Sequence, residues 1–290
     1  RRIARIRGIP LAATFHSKYR EDISRHVHTK VIADMILEHI VRYYESASMV
    51  FAPNQGTAEV LREYGFKGTI EVVPNGTEII PPSKAEHDTQ AEAARSRLGM
   101  QDHRFTMLFV GQHRWEKNTR LIIEALSLLS KQYGKQFVMV FIGTGPDAGE
   151  MKHLVRKLQL SSQVQFLGQI TERKILLSFY AAADLFLFPS LYDNASIAVR
   201  EASAYGVPSV LVEGSTTAEG VKDFENGFLI KNSAPACAEK IALIMENPEM
   251  LIMAGRRAQE SLYIHWEQVA DELFLRYSAL LSRYNGFTPP

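Results

Sequence analysis

Short apolar runs recur along the second half of this chain, and the stretches between them are helix-length and amphipathic. Strands are predicted at 106–110, 137–142, 163–167, 184–188 and 208–212, rich in Val, Ile, Leu or Phe, each followed by a helix or a turn. Runs that are apolar almost throughout mark strands covered on both faces, so a doubly wound α/β domain with a parallel sheet is predicted. Upstream the pattern is looser: a strand at 11–15 ending at His16, an amphipathic helix from 23 to 44, a strand at 49–53 and a helix at 57–64. Val72-Val73-Pro74-Asn75-Gly76 reads as a closing turn, because Asn-Gly accepts positive φ. The polar, Ala-rich stretch 81–97 reads as a linker running into a helix. A last helix at 266–284, with Leu273, Tyr277, Leu280 and Leu281 as its apolar positions, is expected to pack back on the first region.

At 290 residues and 46% hydrophobic content, two unequal domains are preferred over one core. The boundaries fall at 1–82, a linker at 83–103, a second domain at 104–264 and the closing helix at 265–290. Lys+Arg 33 against Asp+Glu 32 gives no basic excess, so no nucleic-acid partner is expected. The single cysteine, Cys237, has no partner for an internal disulfide and fits a reducing, cytoplasmic setting. No apolar run approaches the ~20 residues needed to cross a bilayer, and a soluble protein is expected. The chain opens Arg1-Arg2-Ile3-Ala4-Arg5-Ile6-Arg7 without a methionine, which suggests a fragment whose missing part lies upstream. This basic stretch fits a solvent-facing helix, or a peripheral contact with the inner face of an anionic membrane.

Ligands of doubly wound sheets sit beyond the carboxyl ends of the strands, so the residues after each run are the ones to weigh. Gly111-Gln112-His113-Arg114-Trp115-Glu116-Lys117 follows the first strand of the second domain. A glycine that admits a close ligand, a following helix start and two cations fit a diphosphate, and fit a solvated surface loop equally well. Gly143-Thr144-Gly145-Pro146 reads as a tight structural turn. After the strand at 184–188, Asp193 and Asn194 are helix-capping types, so a helix is predicted to begin there and aim its amides at the crevice. Glu201, eight residues on, would lie roughly 12 Å further along a continuous helix. Asp193 then suits sugar hydroxyls and Glu201 the ribose hydroxyls of a nucleotide. Read without their surroundings, they better suit a cap and a paired surface charge.

The surroundings carry a resemblance. Val73-Pro74-Asn75-Gly76, Phe109-Val110-Gly111 followed by Glu116-Lys117, and Ile142-Gly143-Thr144-Gly145-Pro146 are its first marks. Tyr180-Ala181-Ala182-Ala183-Asp184, Phe188-Pro189-Ser190, Asp193 with Glu201-Ala202, Gly206-Val207-Pro208 and Glu225-Asn226-Gly227 complete it. In this order the set resembles the retaining glycosyltransferases of family 4, over nearly the whole chain. The resemblance implies the GT-B architecture, two Rossmann-like domains with the N-terminal one incomplete here. It also implies that an upstream βαβ portion with a Gly-rich loop and part of the acceptor site precedes Arg1.

The same resemblance implies the roles. Asp193 contacts the donor sugar, Glu201 the ribose and Lys117 the phosphates, while His16 faces the reacting sugar; these four form the catalytic set. The donor site takes in Gly111, Gln112, Arg114, Lys117, the stretch Asn194, Ala195, Ser196 and Ile197, and Glu201. Three departures stand out: Gln112 replaces an arginine, Asp193 a glutamate, and Asn194-Ala195-Ser196 a Gly-Phe-Gly. The chain lacks an Asp-x-Asp motif, so Lys117, Arg114 and helix N-termini are expected to stabilise the leaving diphosphate without a metal. The expected activity is transfer of a hexose, with retention, from a UDP-sugar to a lipid, glycan or small-molecule acceptor, the nucleotide sugar serving as co-substrate and no cofactor. The rival readings are a GT-B scaffold or partner subunit that has lost transfer, and a GT-B sugar-nucleotide epimerase.

Overall fold

Nearly every strand of this protein is hydrophobic on both faces, and each sheet therefore lies between layers of helix. The computed structural model describes residues 2–100, 104–133 and 137–285, which form two compact units: 2–76 with 264–285, and 77–263. The first contains α1 (Arg2–Arg7), β1 (Ala12–Thr14), α2 (Tyr19–His26), α3 (Lys30–Glu45), β2 (Met49–Ala52), α4 (Gln55–Glu63) and β3 (Ile70–Val72). The second runs α5 (Lys84–Arg97), β4 (Phe105–Val110), α6 (Thr119–Tyr133), β5 (Phe137–Ile142), α7 (Ala148–Lys157), β6 (Val164–Gly168) and α8 (Arg173–Ala182). It continues with β7 (Leu185–Leu187), α9 (Ile197–Ala204), β8 (Ser209–Val212), β9 (Phe228–Ile230), α10 (Ala234–Met245) and α11 (Pro248–Ser261). The last helix, α12 (Trp266–Asn285), belongs to the first unit.

In the first unit β1, β2 and β3 form a parallel sheet in that order. Alternation along β2 decides what each face carries. Val50 and Ala52 pack with Phe15, Val41, Tyr44, Ala58 and Leu61, burying α3 and α4 on one side. Phe51 points the other way, onto Val73 and Val269 of α12. An ion pair of Arg276 with Glu71 (2.5 Å) fixes the same helix beside β3. The helix expected over 23–44 is two helices. Val27 (φ −124°, ψ 105°) and Thr29 (φ −93°, ψ 114°) are extended, as suits β-branched residues, and they break the run although its apolar positions continue.

The second unit holds a six-stranded sheet in the order β6-β5-β4-β7-β8-β9, all neighbours parallel. Winding starts at the centre, runs outward to β6, then returns across β4 to build the other half from β7. That reversal leaves a crevice between the carboxyl ends of β4 and β7, where adjacent loops diverge to opposite faces. The helix expected within the polar stretch 81–97 is α5, and it belongs to this unit. Ser83 and Glu86 cap it reciprocally, and its small buried residues Ala91 and Ala94 bring it close against α8. The unit thus begins at Thr77.

Candidate functional site

The residues gathered at the β4/β7 reversal lie in the second unit. After β4 the chain runs through Gly111 into a single 3-10 turn, Trp115–Lys117. This loop is clamped to the one after β5: Gly111 N–H donates to the Ile142 carbonyl (3.0 Å), His113 N–H to Thr144 (2.9 Å) and Asp147 N–H to His113 (3.1 Å). The clamp leaves no room for side chains. Gly143 has φ +131°, and a Cβ on it would run into the Gly111 carbonyl oxygen; one on Gly145 would meet that of His113. Trp115 fastens the far side, its backbone N–H to Asp147 (2.8 Å) and its indole N–H to Glu150 (2.9 Å).

The loop after β7 is tied across. Asn118, in the left-handed region at φ 60°, ends the 3-10 turn and donates from its amide to the Pro189 carbonyl (3.1 Å). Ser190 accepts from the N–H groups of Tyr192 and Asp193 (3.3 Å each), and Thr216 donates to the Asp193 carbonyl (2.7 Å). So held, Asp193 pairs through Oδ1 with the Lys117 ammonium, which also lies 5.6 Å from the centre of the Tyr192 ring. Both charged side chains are mostly buried, 13% and 19% exposed, and the second carboxylate oxygen of Asp193 is buried with no hydrogen-bond partner. The Nε of half-buried Arg114 is in the same condition.

Asp193 and Asn194 do not begin the helix. α9 starts at Ile197 behind Ser196, whose side chain makes no capping bond. The side chain that was to cap is held by Lys117, so 190–196 is an irregular loop and Glu201 does not lie eight helical residues from Asp193. Asn194 is buried, Ala195 and Ser196 are half-buried, and Ile197 is exposed. Glu201 is only 8% exposed. It accepts from Arg173 Nη2 on Oε1 (2.6 Å) and from the Tyr180 hydroxyl on Oε2 (2.7 Å). Burial and the neighbouring Glu201 charge push the Tyr180 pKa well above its ordinary value. For Arg173 burial opposes the charge, but Glu201, Glu78 and Tyr180 outweigh it and raise the pKa. Neither Arg173 nor Tyr180 was singled out for a role from sequence; the one available signal was Tyr180 standing at the head of its motif.

A pocket of about 280 Å³ lies at the glycine-lined loops after β4 and β5. Gly111 and Gln112, Gly143 and Thr144, Gln169 and Ile170, and Leu176 are among its lining residues. Leu176 stands at i+3 from Arg173 and i−4 from Tyr180, one helical face, so the face that holds Glu201 also walls the pocket. Gln112 is exposed at its edge. The structure thus brings Lys117 and Asp193 into contact, and it holds Glu201 on Arg173 and Tyr180 of α8, the helix whose Leu176 lines the pocket. His16 belongs to the other unit, two residues beyond β1, where its side chain is exposed and partial desolvation lowers its pKa, favouring the neutral imidazole at pH 7. Among the described residues no group of three or more His, Cys, Asp or Glu is gathered as a metal site, and no helix is long and apolar enough to cross a membrane.

The family model described as Glycosyl transferases group 1 matches residues 90–261, more than half of the chain. The protein belongs to that family. A second model, Glycosyltransferase Family 4, matches residues 1–79 of this group 1 member. The chain is similar to the α-monoglucosyldiacylglycerol synthase of Streptococcus pneumoniae, at 27% identity over 72% of this chain and 47% of that one. It is also similar to the D-inositol 3-phosphate glycosyltransferase of Corynebacterium glutamicum, at 25% identity over 74% and 53%. It spans about half the length of these relatives. Among solved structures, Anabaena HepE in complex with UDP and glucose superposes with a TM-score of 0.79, at 21% identity over 95% of this chain and 73% of that one. The likeness establishes the two-domain GT-B fold.

Proposed function

We propose that this group 1 family member is a retaining, metal-independent glycosyltransferase that moves a hexose from a UDP-sugar to a lipid, glycan or small-molecule acceptor. The observation that carries the proposal is the orphaned oxygen of Asp193. A buried carboxylate oxygen without a donor costs about 1–3 kcal/mol or more, and such atoms are rare unless a ligand satisfies them. Here it lies beside a lysine, at the winding reversal where sheets of this kind take nucleotides.

The donor divides naturally among the parts. The pocket behind Gly111 and Gly143 takes the flat base, and Glu201, held by Arg173, accepts the ribose hydroxyls. An ammonium has about three N–H donors, and Asp193 engages one, leaving two for diphosphate oxygens. Arg114 Nε, buried without a partner, is a further donor on the same loop. The free oxygen of Asp193 then meets a sugar hydroxyl. As the sugar–phosphate bond breaks, charge builds on the diphosphate, and a cation already held in place by Asp193 and Tyr192 stabilises it without reorganising. HepE, of the same fold, is described in complex with UDP-glucose, which supports the choice of donor. The relatives' names, a glucosyldiacylglycerol synthase and an inositol 3-phosphate glycosyltransferase, support a lipid or a small phosphorylated acceptor.

Lys117→Ala and Glu201→Ala, made in the full-length protein, are each expected to lower transfer about a hundredfold or more, as loss of one preorganised charge contact does elsewhere. Near-parental turnover in both would defeat the assignment. The alternative of a scaffold that has lost transfer is favoured by neutral Gln112; it predicts no sugar release from any nucleotide sugar by the parent protein.

A further inference from the structure

The mechanism above uses Glu201 and leaves unexplained why an arginine stands at the first residue of α8. A cation is unwelcome there, since the amino end of a helix carries partial positive charge, and no acidic residue in the first turn offsets it. Its partners explain the placement. The Nη2 of the guanidinium donates to Glu201 Oε1 at 2.6 Å, and Nε, on the same edge, lies 3.0 Å from Glu78 Oε1. Glu78 is 71% exposed and Glu201 nearly buried, so Arg173 reaches from the surface to an interior carboxylate. The fork is planar and rigid; with Nη2 donating to one carboxylate and Nε ion-paired to another, it cannot turn without giving up both contacts.

Resting on the reading of Glu201 as the ribose acceptor, we infer that Arg173 is a positioning residue that fixes the Glu201 carboxylate for the ribose hydroxyls, and so sets a preference for ribonucleotides over 2′-deoxyribonucleotides. An ionised carboxylate has about four acceptor positions. Arg173 takes one on Oε1 and Tyr180 one on Oε2, leaving an acceptor on each oxygen, matched to two vicinal hydroxyls. Arg173 and Tyr180 bracket Leu176 on one face of α8, and Leu176 walls the pocket proposed for the base. Base and ribose contacts are thus set by one rigid helix. Without Arg173 the buried carboxylate loses its counter-charge and one of its two fixed donors, and it swings or is solvated, no longer presenting both acceptors together.

The test is calorimetric titration of the chain with UDP and with 2′-deoxy-UDP, for the parent, Arg173→Ala and Arg173→Lys, circular dichroism monitoring the fold. The parent is expected to favour UDP about tenfold or more, since hydroxyl bonds to a charged acceptor are at stake. Arg173→Ala loses most of that preference by weakening UDP and sparing 2′-deoxy-UDP, and Arg173→Lys, which supplies charge without the fork, falls between. Parental preference in Arg173→Ala, or tighter UDP binding, overturns the inference while leaving the ribose reading intact. If Arg173→Ala does not fold, parental preference in Arg173→Lys overturns it equally. A parent that does not distinguish the two nucleotides defeats the ribose reading, and the inference falls with it.

Discussion

Gln112 stands exposed at the edge of the pocket behind β4, beside a loop that already holds Arg114 and Lys117. Restoring charge there with Gln112→Arg is expected to tighten UDP about three- to tenfold at low ionic strength, with a smaller gain for UMP and a gain that shrinks as salt is raised. Calorimetry at two salt concentrations checks this, and unchanged UDP affinity at low salt would count against the diphosphate lying at that edge. Individual residues were the least legible scale in the sequence. The types Lys117, Asp193 and Glu201 pointed to ligand chemistry, yet their partners did not follow from spacing. Asp193 reads as a cap because Asp caps helices, and only the approach of a lysine 76 positions away turns it into half of an ion pair. Arg173 drew no reading from the sequence, and only its contact with Glu201 gives it a role.

Strands were legible where they are long and apolar throughout, and β5 falls on its expected residues, 137–142, because every position is buried. β3 and β9 escaped for the opposite reason. Each is three residues long, and β3 carries Glu71 at its centre, so neither gives a run that stands above the loops around it. The polar stretch 81–97 was legible as leading into a helix but not as part of a core; alanines at 91 and 94 are small enough to sit against α8. That helix also supplies a stability prediction. Ser83 accepts from Glu86 N–H, and Glu86 reaches back to the Ser83 N–H at 2.8 Å. Ser83→Ala is expected to cost about 1 kcal/mol, which for a domain of this size lowers the melting point by roughly 2–4 °C. An unchanged melting curve would mean that α5 does not depend on its cap.

At the scale of the whole molecule, the chain leaves the first unit after Gly76, builds the second from Thr77 to Tyr263, and returns at Ile264. Each unit has its own buried cluster, one around Phe15, Val50 and Leu61, the other spread from Ile79 to Leu262. Residues 77–263 expressed alone are therefore expected to melt in one cooperative step and to bind UDP within about threefold of the parent, as an independently cored domain should. Failure to fold would show that this core depends on the rest of the chain. The pairing of Lys117 with Asp193 also has a bearing on descent. Neither side chain has another ionic partner among the described residues, so changing one strands a mostly buried charge on the other. Lineages that neutralise the first position should neutralise the second soon after. A register of paired replacements across descendants would then record which branches still keep this buried ion pair and which have let it go.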